Sequence, residues 1–238
     1  YQNTSIVLYN SPVQSLNWDG LQWTLNGFYY NLEPQNTDSI GDIAYRINRG
    51  SFNNITKQID WTSTEIINYN KWFLRDFANT TVNWTFNSNI AWAPDNSVGY
   101  YFTFGKDSLF NQKPHPVPHV WKSTDGGQTF QRLPEFDFGQ IQCFRDWLFP
   151  TLLTWGTGNE LISPAFNCGS TAEESNFPGV IDICGNLHIF AVVEGGYSID
   201  PDSSYYMYTA HPKYLFDVFT TPSGWDAILI DTLISEIV

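Results

Sequence analysis

The stretch from Trp121 to Phe130 constrains this chain more than any other. Ser123, Thr124 and Asp125 carry short side-chain oxygens that can turn back onto nearby backbone N–H groups. Gly126 and Gly127 supply the positive φ of a tight turn, and Thr129 and Phe130 restart a strand. The pattern predicts a hairpin turn sealed by its own side chains and followed by an aromatic anchor.

The rest of the sequence agrees with a chain built from hairpins. Short apolar or aromatic runs bounded by Gly, Pro, Asn and Asp dominate, and helical periodicity is weak. Aromatic residues make up 17% of the 238 residues and charged residues 15%, a balance that suits stacked sheets better than surface helices. An all-β chain of this length is expected to form one domain over residues 1–238.

The clearest unit spans residues 89–133. Ile90 to Trp92 is a first strand, Pro94 to Ser97 a turn, Val98 to Phe104 a second strand, His119 to Lys122 a third and Thr129 to Leu133 a fourth. A looser unit spans residues 179–233. There Val180 to Cys184 and Leu187 to Val193 flank the turn Gly185-Asn186, and Leu215 to Thr221 and Trp225 to Asp231 flank Pro222-Ser223-Gly224. Between the two, the segment from Ile141 to Phe166 is expected to build an intervening unit. Upstream, Asp42 to Ile47 and Ile55 to Trp61 read as a strand pair, and Leu21 to Tyr30 as an earlier one. One short helix is predicted near 63–77, on a capping box at Thr62 or Ser63 and apolar residues at Ile66, Tyr69, Trp72 and Phe73.

The turn at Ser123, Asp125, Gly126, Gly127, Thr129 and Phe130 resembles the Asp-box, the S-x-D-x-G-x-T-[WF] signature of sialidase-like (BNR) β-propellers. In that family the motif joins the third and fourth strands of a four-stranded antiparallel blade and lies at the periphery, away from the central pocket. The resemblance implies a β-propeller, complete or partial, with residues 89–133 as one blade and 179–233 as another. At roughly 45 residues to a blade the chain holds about four to five blades' worth of sequence.

Composition narrows the partners. Eleven Lys plus Arg against twenty-four Asp plus Glu give a formal net charge of −13, which repels a phosphate backbone, so no nucleic-acid partner is expected. No apolar run is long enough for a helical membrane span. The acidity is read as solubilising an aromatic-rich surface. A Ca2+ role for some carboxylates is the alternative, disfavoured because no loop repeats Asp at calcium-binding spacing. No cofactor is expected.

A sialidase needs three convergent arginines, and this chain has five in all, Arg46, Arg49, Arg75, Arg132 and Arg145. The nearest match to the family's Arg-Ile-Pro motif, Arg46-Ile47-Asn48, lacks the proline. His115 and His119 lie among prolines that forbid the helix an i,i+4 zinc pair needs, so an extended, solvated linker is expected there. Of the three cysteines, Cys168 and Cys184 are the candidate disulfide, with reduced, buried thiols as the alternative. The most site-like stretch is the inter-strand loop expected from Glu194 to Tyr206. It offers Glu194, Tyr197, Asp200, Asp202 and Tyr205 for a glycan or Ca2+.

An aromatic, Asn-rich, Lys-poor chain with one full Asp-box is similar to secreted or surface-exposed propeller proteins of Bacteroidota. Many of these use the type IX secretion route and lose a C-terminal sorting domain, of which this chain shows none. The start at Tyr1 is read as that of a processed protein or a fragment. The resemblance implies a non-catalytic extracytoplasmic module that binds a protein or surface glycan and associates with an outer-membrane complex. Glycoside hydrolysis by loop carboxylates and a structural role in a larger surface or secretion assembly are the alternatives.

Overall fold

The computed structural model of the chain describes residues 22–36, 43–68, 85–105, 117–148, 161–166, 179–198, 206–207 and 213–233. It is an all-β protein of antiparallel sheets. The first sheet runs in sequence order through β1 (Gln22–Trp23), β2 (Phe28–Asn36), β3 (Ile43–Asn53) and β4 (Gln58–Asn68). The second runs through β5 (Thr85–Trp92), β6 (Gly99–Gly105), β7 (Val117–Ser123) and β8 (Gln131–Arg132). The strand pairs expected upstream and all four strands of the 89–133 unit are therefore present.

The third sheet is ordered β10 (Gly179–Ile181), β11 (Leu187–Ser198), β13 (Lys213–Thr221) and β14 (Gly224–Leu233). Two further strands, β9 (Leu161–Phe166) and β12 (Tyr206–Met207), pair antiparallel with the C-terminal half of β11. The expected hairpins of the 179–233 unit form around Gly185 (φ 79°) and Gly224 (φ 142°), conformations that suit glycine.

Two expectations are corrected. The helix near 63–77 is contradicted by β4, which stays extended to Asn68 and pairs with β3 from Gln58↔Asn53 to Asn68↔Ala44. Residues 69–77 lie outside the described residues. The β-branched Ile59, Thr62, Thr64, Ile66 and Ile67 suit a strand, and a full ladder outweighs the small gain of a cap. The segment from Ile141 to Phe166 does not form an intervening unit over its described parts. It contains a helix, α1 (Gln142–Trp147), and then β9, which joins the third sheet. Asp137 accepts the Gly139 N–H at 2.9 Å and starts a short 3-10 turn just before α1.

The chain divides into two compact units. One combines the first sheet with residues 89–101 and 121–132, and its core holds Tyr30, Ile47, Ile90, Trp92, Tyr101 and Trp121. Tyr30 and Trp92 stack with ring centroids 3.7 Å apart. The other unit contains α1 and the third sheet. Alternation there is regular, with Leu187, Ile189, Ala191 and Val193 of β11 and Phe216 and Val218 of β13 buried on one face. In this second unit Phe136, Phe138, Phe144, Phe166 and Phe216 form an aromatic cluster, with successive centroids 4.6–6.0 Å apart.

Candidate functional site

The Asp125 turn closes on itself as the sequence predicts. Asp125 Oδ1 accepts the backbone N–H groups of Gln128 and Thr129, each at 2.9 Å, and Oδ2 accepts the Thr129 hydroxyl at 2.6 Å. Ser123 Oγ donates to Asp125 Oδ1 at 2.8 Å and accepts the Gly127 N–H at 2.8 Å. Gly126 and Gly127 take φ of 69° and 85°, and Phe130 meets the Trp92 ring edge-on at 6.3 Å. Burial would raise the Asp125 pKa, but the bonds from Thr129, Ser123 and Gln128 outweigh it and hold the carboxyl at about 2. A carboxylate so saturated with donors is a structural staple and a poor proton carrier.

The first sheet seals the same turn from outside. The Tyr30 hydroxyl lies 2.5 Å from Asn96 Oδ1 and 3.1 Å from the Gly126 carbonyl, and Thr64 Oγ1 donates to the Gly127 carbonyl at 3.0 Å. Burial raises the Tyr30 pKa, against the opposing charge of Arg49, so the phenol stays a donor.

On the third sheet, Glu194 lies on β11 and is buried to 1% exposure, which corrects the expectation of a loop at that point. The ladder to Phe166–Leu161 of β9 carries β11 on to Ser198, so Tyr197 too is in a strand. Among the described groups, the Lys213 ammonium approaches Glu194 Oε2 to 3.5 Å, an ion pair, but neither carboxylate oxygen has a hydrogen-bond partner. Burial raises the Glu194 pKa and Lys213 opposes the rise. Asp200, Asp202 and Tyr205 lie outside the described residues.

A second ionisable cluster stands on the outward-facing side of β11. His188 Nδ1 is 2.9 Å from Asp217 Oδ2 on β13, and its Nε2 is 3.4 Å from Asp182 Oδ2 in the β10–β11 turn. The imidazole stacks on Phe219 with centroids 5.0 Å apart and planes 17° from parallel. Asp182 holds its own turn, accepting the Cys184 and Asn186 N–H groups at 2.8 Å each. The Asn186 N–H is the main cause of its pKa falling to about 2, with burial opposing and His188 assisting. Sequence reading placed His188 on a strand but missed both carboxylates. The only local signal was Asp182 four residues before Asn186 around Gly185.

His119 lies in β7, as the expected third strand has it, and is buried, which corrects the solvated linker expected at that residue. The Pro-rich approach ends in a strand because Val117, Val120 and Trp121 are buried. His115 and Cys168 lie outside the described residues, and Cys184 is an exposed, free thiol. Among the described residues no three His, Cys, Asp or Glu side chains are grouped to hold a metal. No helix among them is long and apolar enough to cross a membrane. No family model and no curated protein matches this chain.

Proposed function

We propose that the chain is a non-catalytic extracytoplasmic module of β-propeller type, secreted or at the cell surface, that binds a protein partner. Two features support the propeller part of the reading: first and second sheets of four strands each in sequence order, and an Asp125 turn joining the third and fourth strands of the second sheet. Support for a binding role comes from how the carboxylates are used. Asp125 and Asp182 hold turns, Asp217 holds His188, and Glu194 is buried beside Lys213.

The observation that carries the choice of a protein partner is the outer face of the third sheet. Val180, Phe190 and Ile228 are 51%, 36% and 57% exposed, and Phe190 and Ile228 flank Asp217 in one cross-strand row. The opposite face of β11 and β13 is buried, so this sheet presents apolar side chains on both sides. A surface glycan is the lesser alternative, because it would be read by polar groups with exposed aromatic rings.

The test is recovery of the full-length protein from its native host with whatever co-elutes in stoichiometric amount. A partner lost from a Phe190→Ser/Ile228→Ser variant whose unfolding curve is unchanged supports the reading. A partner retained by that variant removes the surface from it. Recovery of the protein alone turns attention to glycans and to a glycoside-hydrolysis screen. The same exposed face supports a second reading, a structural subunit on which another chain's sheet packs. A monomer that unfolds in one cooperative step removes that one.

A further inference from the structure

We propose that Asp182, His188 and Asp217 form a proton-operated clasp that ties the β10–β11 turn to strand β13. The proposal stands independently of the binding reading. An imidazolium has two N–H donors, and this ring has a carboxylate at each nitrogen, Asp217 at 2.9 Å and Asp182 at 3.4 Å. Neutral imidazole has one donor and one lone pair. The shorter contact keeps the proton on Nδ1, so Nε2 then turns a lone pair towards Asp182 Oδ2. The clasp therefore closes only when His188 is charged. Stacking on Phe219 fixes the ring plane, so the ring cannot swing away to relieve the clash.

Just past the turn the Leu187 N–H donates to Thr220 Oγ1 of β13 at 2.9 Å, and the clasp adds an ionic tie at the turn itself. Asp182 is its one charged residue, β10 carries none, and on β13 and β14 the acidic neighbours are Asp217 and Asp226, the latter in register with Phe219. Loss of the His188 charge leaves Asp182 and Asp217, one at each ring nitrogen, without the cation between them. Burial lowers the His188 pKa, but its bonds to Asp217 and Asp182 outweigh burial and raise it. The sign follows from that rise. The clasp is closed below the unfolded histidine's pKa and opens as pH rises through the higher folded value. Asp182 also accepts the Cys184 and Asn186 N–H groups, so its movement loosens the turn that presents Ile183 and the Cys184 thiol to solvent.

The experiment follows the His188 side-chain titration by NMR together with hydrogen-exchange protection factors of the Cys184 and Asn186 amides. It uses the wild-type protein and the His188→Gln and Asp217→Asn variants. In the wild type, protection of both amides falls about two- to five-fold through the His188 titration, the range a partly exposed ion pair delivers. In His188→Gln it stays at the low level at every pH, and in Asp217→Asn the His188 titration moves to lower pH. A protection profile that is the same in His188→Gln as in the wild type overturns the clasp. So does an unshifted His188 titration in Asp217→Asn, which also decides the matter if His188→Gln fails to fold.

Discussion

The Tyr30 hydroxyl of β2 lies 3.1 Å from the carbonyl oxygen of Gly126, at the crown of the Asp125 turn. The phenol also reaches Asn96 Oδ1 at 2.5 Å, and Asn96 takes a positive φ of 64°. The single phenolic proton is thus shared between acceptors of two turns. Replacing Tyr30 by Phe keeps the ring on Trp92 and removes only these bonds. We expect a loss of about 1–2 kcal/mol, the cost of leaving buried acceptors unsatisfied, measured as a lower urea midpoint at unchanged m.

Asp125→Ala removes the acceptor for two N–H groups and two hydroxyls in one turn. The expected cost is about 1–2 kcal/mol, kept modest because the turn is partly open to solvent. Its pH signature is distinctive. The folded carboxyl titrates at about 2, below an unfolded aspartate, so its contribution is complete above the unfolded pKa and is lost as pH falls through the folded value. Acid unfolding curves of wild type and Asp125→Ala should converge towards pH 2. Parallel curves down to that pH would sink the assignment.

These features differ in how far the sequence betrays them, and the difference is one of range. The Asp125 turn was legible because every partner of the Asp125 carboxylate lies within four residues, and the Gly185 and Gly224 hairpins were legible because their turns are equally local. The later part of β4, from Ser63, was misread as a helix because Thr62, Ser63 and Ile66 satisfy a local capping pattern, while what fixes it is a ladder to β3. Glu194 was read as a loop residue because Gly195 and Gly196 follow it, and hydroxyls and carboxylates follow them. Its burial depends on β9 and on Lys213, neither of which lies near it in sequence. His188 gains its two carboxylates across sequence separations of six and twenty-nine residues, and only the register of β11 on β13 brings the farther one near.

The Glu194–Lys213 pair makes a directional prediction. Glu194 has no exposed side-chain surface, while Lys213 is 31% exposed, so the two halves of the pair are not equivalent. Lys213→Met leaves the carboxylate buried without a counter-charge. Removing one partner of a fully buried pair costs about 3–5 kcal/mol, and the half-open lysine places this loss at or below the lower end. Glu194→Gln removes the charge instead and leaves stability equal or higher at neutral pH. Since burial raises the Glu194 pKa, the folded wild type binds its proton more tightly than the unfolded chain, and stability falls as pH rises through the folded value. Thermal unfolding from pH 4 to 8 should show that decline in the wild type and lose it in Glu194→Gln. A Glu194→Gln variant markedly less stable at pH 7 would show that the carboxylate is needed charged.

Gly99 opens β6 directly beneath the indole of Trp92 at the end of β5. A Cβ placed on Gly99 would stand 2.2–2.4 Å from three carbons of that ring, far inside van der Waals contact. The φ of Gly99 is not in the left-handed region, so the residue is glycine for space and not for backbone freedom. The ring cannot give way cheaply. Tyr30 stacks on it at 3.7 Å, Phe130 meets it edge-on, and Gly127 lies so close that a Cβ there would stand 3.1 Å from the ring. Gly99→Ala should therefore cost at least the ~1–3 kcal/mol typical of overpacking, although alanine is otherwise the better strand residue. Adding Trp92→Leu should recover part of that loss, because the smaller side chain vacates the space the methyl needs. A double-mutant cycle measures the coupling, and additive losses would show that Gly99 is required for some reason other than the indole above it.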